Sequence, residues 1–281
     1  MGEAAVALGA DWTRTLVTET ADLRMVYWGP RDTRGLRIVV AFPPFDYPFD
    51  GDGWGARSFA KRGIGHVCVF HRRPDWYQND SFFDAMEACR EFLAPAAGVT
   101  AYGFSMGGLG ALLGARALGA DRAVAITPQV TIDPSVPPRE RRFVPQWEAM
   151  GPWQHDLLAH MDDNRRYIVL FDPLHARDRR QEALIPRVTG YERCLMHGAG
   201  HAPIQALAQM GVAEALFDVL TAKRSPRHLR QAYRAARPHG FRYLRKVGTE
   251  LHARRHPMAA RCLEHAERAG FRRLVKRWAR T

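Results

Sequence analysis

A glycine-flanked serine between an apolar strand and an apolar helix constrains this chain most. Val99–Phe104 is a short apolar run, Ser105 follows it, and a helical pattern over Met106–Leu118 begins at the next residue. Such a sharp turn forces strained backbone angles at the serine, so the glycines two positions away, Gly103 and Gly107, remove side chains that would clash. The pattern predicts that the serine hydroxyl projects above a sheet, at a helix N-terminus that favours negative charge.

Apolar strands alternate with helices along most of the chain. The predicted strands are Leu23–Trp28, Leu36–Phe42, His66–Phe70, Val99–Phe104, Arg122–Ile126, Tyr167–Phe171 and Arg193–Met196. The predicted helices are Phe82–Leu93, Met106–Leu118, Trp153–Met161, Arg179–Ile185 and Ile204–Leu220. Continuous apolar strands separated by helices are typical of a parallel sheet covered on both faces. We therefore predict an α/β fold with a mostly parallel central sheet, whose strand C-termini share one ligand-binding edge.

The chain changes character after Thr221. The whole chain has 41 basic and 29 acidic residues, whereas residues 222–281 contain 18 basic and three acidic ones. Predicted helices there are Pro226–Arg237, Phe241–His256, Pro257–Ala269 and Phe271–Arg280. We predict a catalytic domain at 1–221 and a basic helical appendage at 222–281. The excess of positive charge in this appendage suggests that it binds an acidic partner or an anionic surface. The alternative is that the arginines only form a solvated helix face.

Two motifs together resemble the α/β-hydrolase superfamily. Gly103–Gly107 is a Gly-x-Ser-x-Gly motif between a strand and a helix, as in the nucleophile elbow of that family. Gly198–His201 follows the last predicted strand and is similar to the family's Gly-x-Gly-His turn. The resemblance covers roughly Val17 to Leu220. It implies the α/β-hydrolase fold and the order nucleophile, acid, histidine along the chain.

The resemblance implies that Ser105 is the nucleophile and His201 the general base. His197 is a weaker candidate for the base, because it lies closer to the end of the strand. The acid of the family follows the penultimate strand, and Asp172, at the strand end, is the preferred candidate there.

Two other aspartates stay open as the acid. Asp178 stands deeper in the same loop, and its alternative role is to cap a helix, with Gln181 completing a capping box. Asp133 follows the preceding strand, where some relatives place the acid. Whichever residue it is should hold the imidazole tautomer and stabilise the imidazolium.

The remaining site residues come from loops at the expected sheet edge. The oxyanion hole needs two backbone N–H groups, which the resemblance places at Met106 and in the turn after Leu36–Phe42. Phe45 is the first donor in that turn, because the two residues before it are prolines. Trp76 and Tyr77 are candidates to wall the substrate pocket, with surface packing as the alternative.

No pattern indicates a metal or a cofactor. The four cysteines form no Cys-x-x-Cys pair, and Asp50–Gly55 lacks the downstream glutamate of a calcium loop. No apolar run approaches the ~18–20 residues of a membrane span. The N-terminal residues lack the basic and apolar regions of a signal peptide. We therefore expect a cytoplasmic protein without metal, cofactor or transmembrane segment.

The prediction for function is a serine hydrolase that cleaves an ester or thioester through an acyl-enzyme on Ser105. The substrate would be a small-molecule or polysaccharide-linked acyl ester. A close alternative is an acyltransferase or deacylase acting on a sugar or polysaccharide, and a different class is a non-enzymatic scaffold that binds an acidic partner. If the appendage is modular, deletion of residues 223–281 should leave activity on small esters. If Leu229, Tyr233 and Leu244 pack it onto the rest, deletion should destabilise the protein.

Overall fold

The computed structural model describes residues 12–137 and 139–278. Its strands are β1 Trp12–Glu19, β2 Leu23–Pro30, β3 Arg37–Phe42, β4 His66–His71, β5 Gly98–Phe104, β6 Arg122–Ile126, β7 Arg166–Phe171 and β8 Tyr191–Leu195. They form one sheet in the order β1-β2-β4-β3-β5-β6-β7-β8. The β1–β2 and β2–β4 pairs are antiparallel, whereas the β3–β4, β3–β5 and β5–β6 pairs are parallel. The prediction of a mostly parallel central sheet is confirmed.

The helices alternate with the strands after β3 and continue alone beyond β8. They are α1 Ala56–Ala60, α2 Phe82–Phe92, α3 Met106–Gly114, α4 Val144–Met150, α5 Leu157–His160, α6 Ala176–Ala183, α7 Pro203–Gln209, α8 Glu214–Leu220, α9 Pro226–Ala236, α10 Phe241–Ala253 and α11 Ala259–Trp278. A 3-10 turn, Arg237–His239, joins α9 to α10. Within the described residues, no helix has both the length and the apolar character needed to cross a membrane.

The core explains why the strands carry unbroken apolar runs. Residues 38–42 of β3 are completely buried, and every residue of β4 is buried. Strands in the interior of a parallel sheet are covered on both faces, so they lack the polar alternation of a half-exposed strand. Helix α3 is buried along its whole length, and its glycine, alanine and leucine residues allow this because none of their side chains is polar.

Strand β1 has no apolar run that would predict it, because polar residues occupy most of its positions at this edge of the sheet. Three polar residues, 13–15, separate Trp12 from Leu16, and Leu16 is 55% exposed. The register with β2 shifts between Leu16 and Thr18, which leaves Val17 as an extra residue. Such a bulge is common at sheet edges and disrupts the regular pattern that would indicate a strand.

Glycines mark three differences between predicted and observed helices. Helix α3 ends at Gly114, four residues before the predicted end. The predicted helix Ile204–Leu220 is divided into α7 and α8 at Gly211, which has a φ of +73°. Gly270, predicted as a break, lies inside α11. A side chain there would come within 3.1 Å of the Phe241 ring, so this glycine permits the close packing of α11 on α10.

The contacts divide the described residues into two compact units. Unit 1 contains the chain up to Val169 together with Arg180–Glu192, and unit 2 contains Leu170–Arg179 and the chain from Arg193 onward. The predicted boundary at Thr221 therefore falls inside unit 2. Leu229 and Leu244 of the predicted appendage are buried there.

Candidate active site

The elbow at Ser105 in unit 1 has the strained backbone that the sequence predicts. Its φ of +57° and ψ of −118° are rarely adopted by residues other than glycine. A Cβ on Gly103 would lie 1.8 Å from the carbonyl oxygen of Gly107. A Cβ on Gly107 would lie 2.0 Å from the carbonyl oxygen of Phe42. Both positions therefore require glycine because any side chain would clash with a neighbouring carbonyl, and not because the backbone there must be flexible.

Three backbone hydrogen bonds hold Ser105 in this strained conformation. The Ser105 N–H donates to the carbonyl of Ile126 at 2.9 Å. Its carbonyl accepts from the N–H groups of Gly108 at 2.9 Å and Gln129 at 3.1 Å. The serine is only 7% exposed. A residue held from β6, α3 and the loop after β6 can maintain an unfavourable φ, because these bonds offset the strain.

The turn after β3 lies directly against the elbow. Gly107 approaches the carbonyls of both Phe42 and Pro43, so the chain that carries Phe45 begins beside the start of α3. The Pro43 carbonyl accepts a hydrogen bond from the Tyr77 hydroxyl at 3.1 Å. The Pro44 carbonyl lies 3.2 Å from His71 Nε2. These bonds fix the turn that is predicted to supply the second oxyanion donor.

Tyr77 is not exposed as a pocket wall. The ring is completely buried, and Gly110 of α3 leaves room for it, because a Cβ at that position would lie 2.6 Å from the ring. The Asp75 carboxylate accepts from the Tyr77 N–H at 3.0 Å and from the Asn79 amide at 2.9 Å. Tyr77 therefore stabilises the Pro43 turn from within the core.

Trp76 is also completely buried, although its neighbours reach the surface. Its ring contacts Phe45 and Phe143, with centroid distances of 5.5 and 4.9 Å. Phe45 and Phe143 are themselves partly exposed and lie 5.1 Å apart. Trp76 and Tyr77 both have positive φ, 52° and 60°. The pocket wall predicted at these two residues is thus a buried support, and the partly exposed aromatic surface above it belongs to Phe45 and Phe143.

The histidine turn lies in unit 2, and its imidazole is paired with Asp178. His201 Nδ1 lies 2.8 Å from Asp178 Oδ1, and the carboxylate is 4% exposed. His175 Nδ1 lies 3.0 Å from Oδ2 of the same carboxylate. Burial acts to raise the pKa of Asp178, but the contacts with His175 and His201 outweigh it and hold the pKa below its usual value. A proton on Nδ1 of His201 leaves Nε2 as the basic nitrogen.

Asp172, the preferred candidate for the acid, makes its hydrogen bonds with groups other than the imidazole. Its carboxylate, completely buried, accepts hydrogen bonds from the N–H groups of Gly198 at 3.0 Å and Gly200 at 2.9 Å. The Lys246 ammonium of α10 donates to it at 2.6 Å. Asp172 therefore shapes the turn that carries His201, while Asp178 is the aspartate in contact with the imidazole.

Two more contacts from α9 and α10 hold the same turn. The Tyr233 hydroxyl donates to the His197 carbonyl at 2.7 Å. The Tyr243 ring lies against Gly198, where a Cβ would come within 2.5 Å of it. Gly198 also has a φ of +79°, so the turn needs glycine there for its backbone as well as for space. His197 thus contributes its backbone to this turn. Of the residues of the basic appendage that support the turn, the sequence indicated Tyr233 as a packing residue but gave no signal for Tyr243 or Lys246.

The structure also shows what Asp178, Gln181 and Asp133 do apart from the predicted catalytic role. Asp178 is the third residue of α6 and not its cap. Gln181 forms no capping box, since its amide donates to the Thr131 carbonyl at 2.8 Å. Asp133 accepts from the N–H of Ser135 at 2.8 Å and from its hydroxyl, which is the pattern of a local turn.

Within the part of the chain that the structure describes, His175, Asp178 and His201 could together hold a metal ion. One ligand atom from each lies within 4.8 Å of the others. Two imidazoles and a carboxylate are a donor set that suits zinc. The His201 nitrogen that contacts Asp178 would have to give up that hydrogen bond to bind a metal through the same atom. The hydrogen-bonded pair and a metal site are therefore competing uses of this cluster.

Several solved structures with a similar fold are described as esterases. Esterase 2 from Thermogutta terrifontis, phosphoramylated by tabun, is 15% identical, and the match covers 76% of this chain and 95% of that one with a TM-score of 0.51. Esterase Pf2001 from Pyrococcus furiosus is 14% identical over 78% and 94% of the two chains, with a TM-score of 0.51. Oligopeptidase B from Leishmania major is 14% identical over 79% of this chain and 37% of that one, with a TM-score of 0.50.

These likenesses show the fold alone. The chain has the α/β-hydrolase fold, as the resemblance of its motifs implied. No protein-family model matches the sequence, and no curated protein matches it either. The reaction and its residues therefore have to be argued from the chain itself.

Proposed function

We propose that this chain is a serine hydrolase that cleaves a carboxylic ester or thioester through an acyl-enzyme on Ser105. His201 is the general base, and Asp178 is the acid that orients it. The observation that carries the proposal is the 2.8 Å contact between His201 Nδ1 and the buried Asp178 carboxylate. The elbow at Ser105 and the order of the three residues along the chain support it.

The first half of the reaction forms the acyl-enzyme. His201 Nε2 takes the Ser105 hydroxyl proton while Oγ attacks the ester carbonyl carbon. The carbonyl oxygen becomes an oxyanion, for which we propose the backbone N–H groups of Met106 and Phe45 as donors. As the C–O or C–S bond breaks, the imidazolium gives its proton to the leaving alcohol or thiol. Asp178 stabilises the positive charge that the imidazole carries between these two transfers.

The second half returns the enzyme to its starting state. A water molecule gives a proton to His201 Nε2 and attacks the acyl carbonyl carbon. The tetrahedral intermediate then breaks its bond to Ser105 Oγ, which recovers its proton from the imidazolium. The products are the carboxylic acid and the alcohol or thiol, with no oxidant, reductant or metal consumed.

The test is covalent labelling combined with turnover of an activated ester. A fluorophosphonate probe should add to the wild-type protein once, at Ser105, and p-nitrophenyl acetate should be hydrolysed. Ser105→Ala should lose labelling and at least ~10³-fold of kcat/KM. The matched control is Ser58→Ala, which removes an exposed hydroxyl in α1 and should change neither.

Two outcomes would contradict the proposal. The first is wild-type protein that is folded by circular dichroism but neither labels nor hydrolyses esters of any acyl length. The second is hydrolysis that survives in Ser105→Ala but is removed by a chelator and restored by zinc. That second result would assign the activity to His175, Asp178 and His201 as metal ligands.

A further inference from the structure

A groove in unit 2 is lined by many positively charged side chains. Its volume is about 790 Å³, and residues of α9, α10 and the end of β8 line it. Five arginines line it: Arg193, Arg227, Arg230, Arg234 and Arg237. Among the described residues that line the groove, none is an aspartate or a glutamate. The groove therefore brings several positive charges together.

The helix periodicity of α9, continued through its C-cap residue Arg237, places four of these arginines along one line. Positions 227, 230, 234 and 237 are separated by three, four and three residues, a spacing that keeps side chains on one face of a helix. They extend over about 15 Å at the usual rise per residue. A single small anion would meet one or two of them, whereas a ligand with several negative groups can contact the whole row.

Two of the arginines are already oriented by the protein. Arg230 donates to the Arg193 carbonyl at 3.0 Å. The Arg237 guanidinium lies 5.3 Å from the centre of the Tyr243 ring. Arg227 and Arg234 are exposed. The guanidinium groups that are already held in place lower the entropy cost of binding a ligand. The exposed guanidinium groups can adjust their positions to that ligand.

Apolar and aromatic side chains also line the groove. Tyr233, Tyr243, Val247 and Leu174 line the groove together with the arginines. Such a surface can pack against an organic group, while guanidinium forks bind phosphate oxygens in pairs. Like charges gathered in one groove repel each other, so a polyanion that neutralises them should also stabilise the fold.

We propose that this groove binds a small organic molecule that carries a di- or triphosphate group. The volume is within the range of small-molecule sites, about 300–1,000 Å³. The row of arginines matches two or more adjacent phosphates, and the tyrosine rings match the organic part. A duplex nucleic acid is a poorer fit, because sequence-independent binding of a duplex needs a surface that lies along its backbone, and this groove is concave. The proposal is independent of the chemistry at Ser105.

The test uses ADP as the organic diphosphate and pyrophosphate as its inorganic match. Isothermal titration of the full-length protein at about 50 mM KCl should give one ADP site with a Kd below about 100 µM, and pyrophosphate should bind at least fivefold more weakly. The variant Arg227→Gln/Arg234→Gln should weaken ADP binding at least tenfold. The control Arg245→Gln/Arg254→Gln removes two exposed arginines of α10 and its end that do not line the groove, so ADP affinity should change less than twofold.

A thermal shift gives a second measurement on the same proteins. ADP should raise the melting temperature of the wild type and of the control, but not that of Arg227→Gln/Arg234→Gln. Equal weakening in both double variants would overturn the proposal, because it would indicate net charge and not a site. Equal affinity for ADP and pyrophosphate would overturn the organic part. Tighter binding to duplex DNA or to phosphatidylserine vesicles, at equal phosphate concentration, would assign the groove to a polymer or membrane instead.

Discussion

Lys246 Nζ lies 2.6 Å from Asp172 Oδ2, and this ion pair connects α10 to the turn that carries His201. The aspartate is completely buried, and the lysine side chain is 26% exposed. The same carboxylate holds the N–H groups of Gly198 and Gly200. A residue in the basic C-terminal region therefore neutralises the group that shapes the predicted catalytic turn. The basic appendage, through Lys246, is therefore part of the structure that holds the His201 turn in place.

The first prediction concerns this ion pair. Lys246→Met should leave a buried carboxylate without its cation, which costs about 3–5 kcal/mol of unfolding free energy. Urea unfolding followed by circular dichroism measures this loss. Lys223→Met removes an exposed lysine from the same region and should change the free energy by less than about 0.5 kcal/mol. Similar values for the two variants would mean that the Asp172 pair is not a stabilising contact.

The second prediction is for deletion of residues 223–281. If the basic appendage is a separate module, as its charge suggests, activity should survive this truncation. The structure favours the other interpretation, because the deletion removes the hydrogen bond from Tyr233 to the His197 carbonyl together with the Lys246 contact. We expect the truncated protein to aggregate or to melt far below the full chain in differential scanning fluorimetry. A soluble truncation with full activity on p-nitrophenyl acetate would restore the modular interpretation.

The third prediction separates the two aspartates. Asp178→Asn should lower kcat by about 10³–10⁴-fold with little change in KM, because an amide favours the wrong imidazole tautomer. Asp172→Asn should lower the melting temperature by several degrees, because it weakens the contact with Lys246.

Kinetics and melting must be measured on both variants to tell these effects apart. A large loss of kcat in Asp172→Asn with unchanged stability, and none in Asp178→Asn, would return the acid to the strand end. Two small effects would turn attention to Asp133.

The fourth prediction is a pH dependence of stability that arises from His66. This imidazole is completely buried between Phe59 and Trp28, and neither ring nitrogen has a hydrogen-bond partner. Burial lowers the pKa of His66 to about 3. The unfolded chain, with a histidine pKa near 6.5, binds the proton more readily, so stability is full above that pH and falls as the pH decreases toward 3.

The expected size of this effect is about 2 kcal/mol between pH 7 and pH 5 from this one group. His66→Phe keeps a ring in the same stack and should reduce the pH dependence of the unfolding free energy by that amount. His239→Phe, at an exposed position, is the matched control and should leave the dependence unchanged. Parallel pH curves for wild type and His66→Phe would show that His66 is not the group that titrates.

The fifth prediction tests the elbow by steric means. Gly107→Ala would place a Cβ 2.0 Å from the Phe42 carbonyl oxygen, so the start of α3 and the β3 turn would have to separate. We expect a loss above about 3 kcal/mol and no labelling by a fluorophosphonate. Gly63→Ala, which has a φ of +65° and open space around it, should cost only about 1–2 kcal/mol and keep its labelling. Normal labelling of Gly107→Ala would mean that the elbow tolerates the shift.

The elbow could be predicted because its chemistry and its backbone geometry are contained in five consecutive residues. The aspartate that contacts His201 could not be predicted in the same way, since Asp172 and Asp178 both follow β7 and lie only six positions apart. What distinguishes them is a lysine 74 positions further along the chain and a turn whose N–H groups point at one carboxylate. A single lysine in an amphipathic helix carries no local signal. Trp76 and Tyr77 show the same limit, because only tertiary packing decides whether an aromatic loop residue faces solvent or the core.

The extra residue in β1 also affects how the sheet ends. β1 is an outer strand, and Val17 interrupts its pairing, so the regular segments are Trp12–Leu16 and Thr18–Glu19. An outer strand with an unbroken ladder would offer another chain a template for edge-to-edge addition, and a bulge removes that template. The interruption allows Leu16 to stay exposed at the rim without inviting a neighbouring copy to extend the sheet.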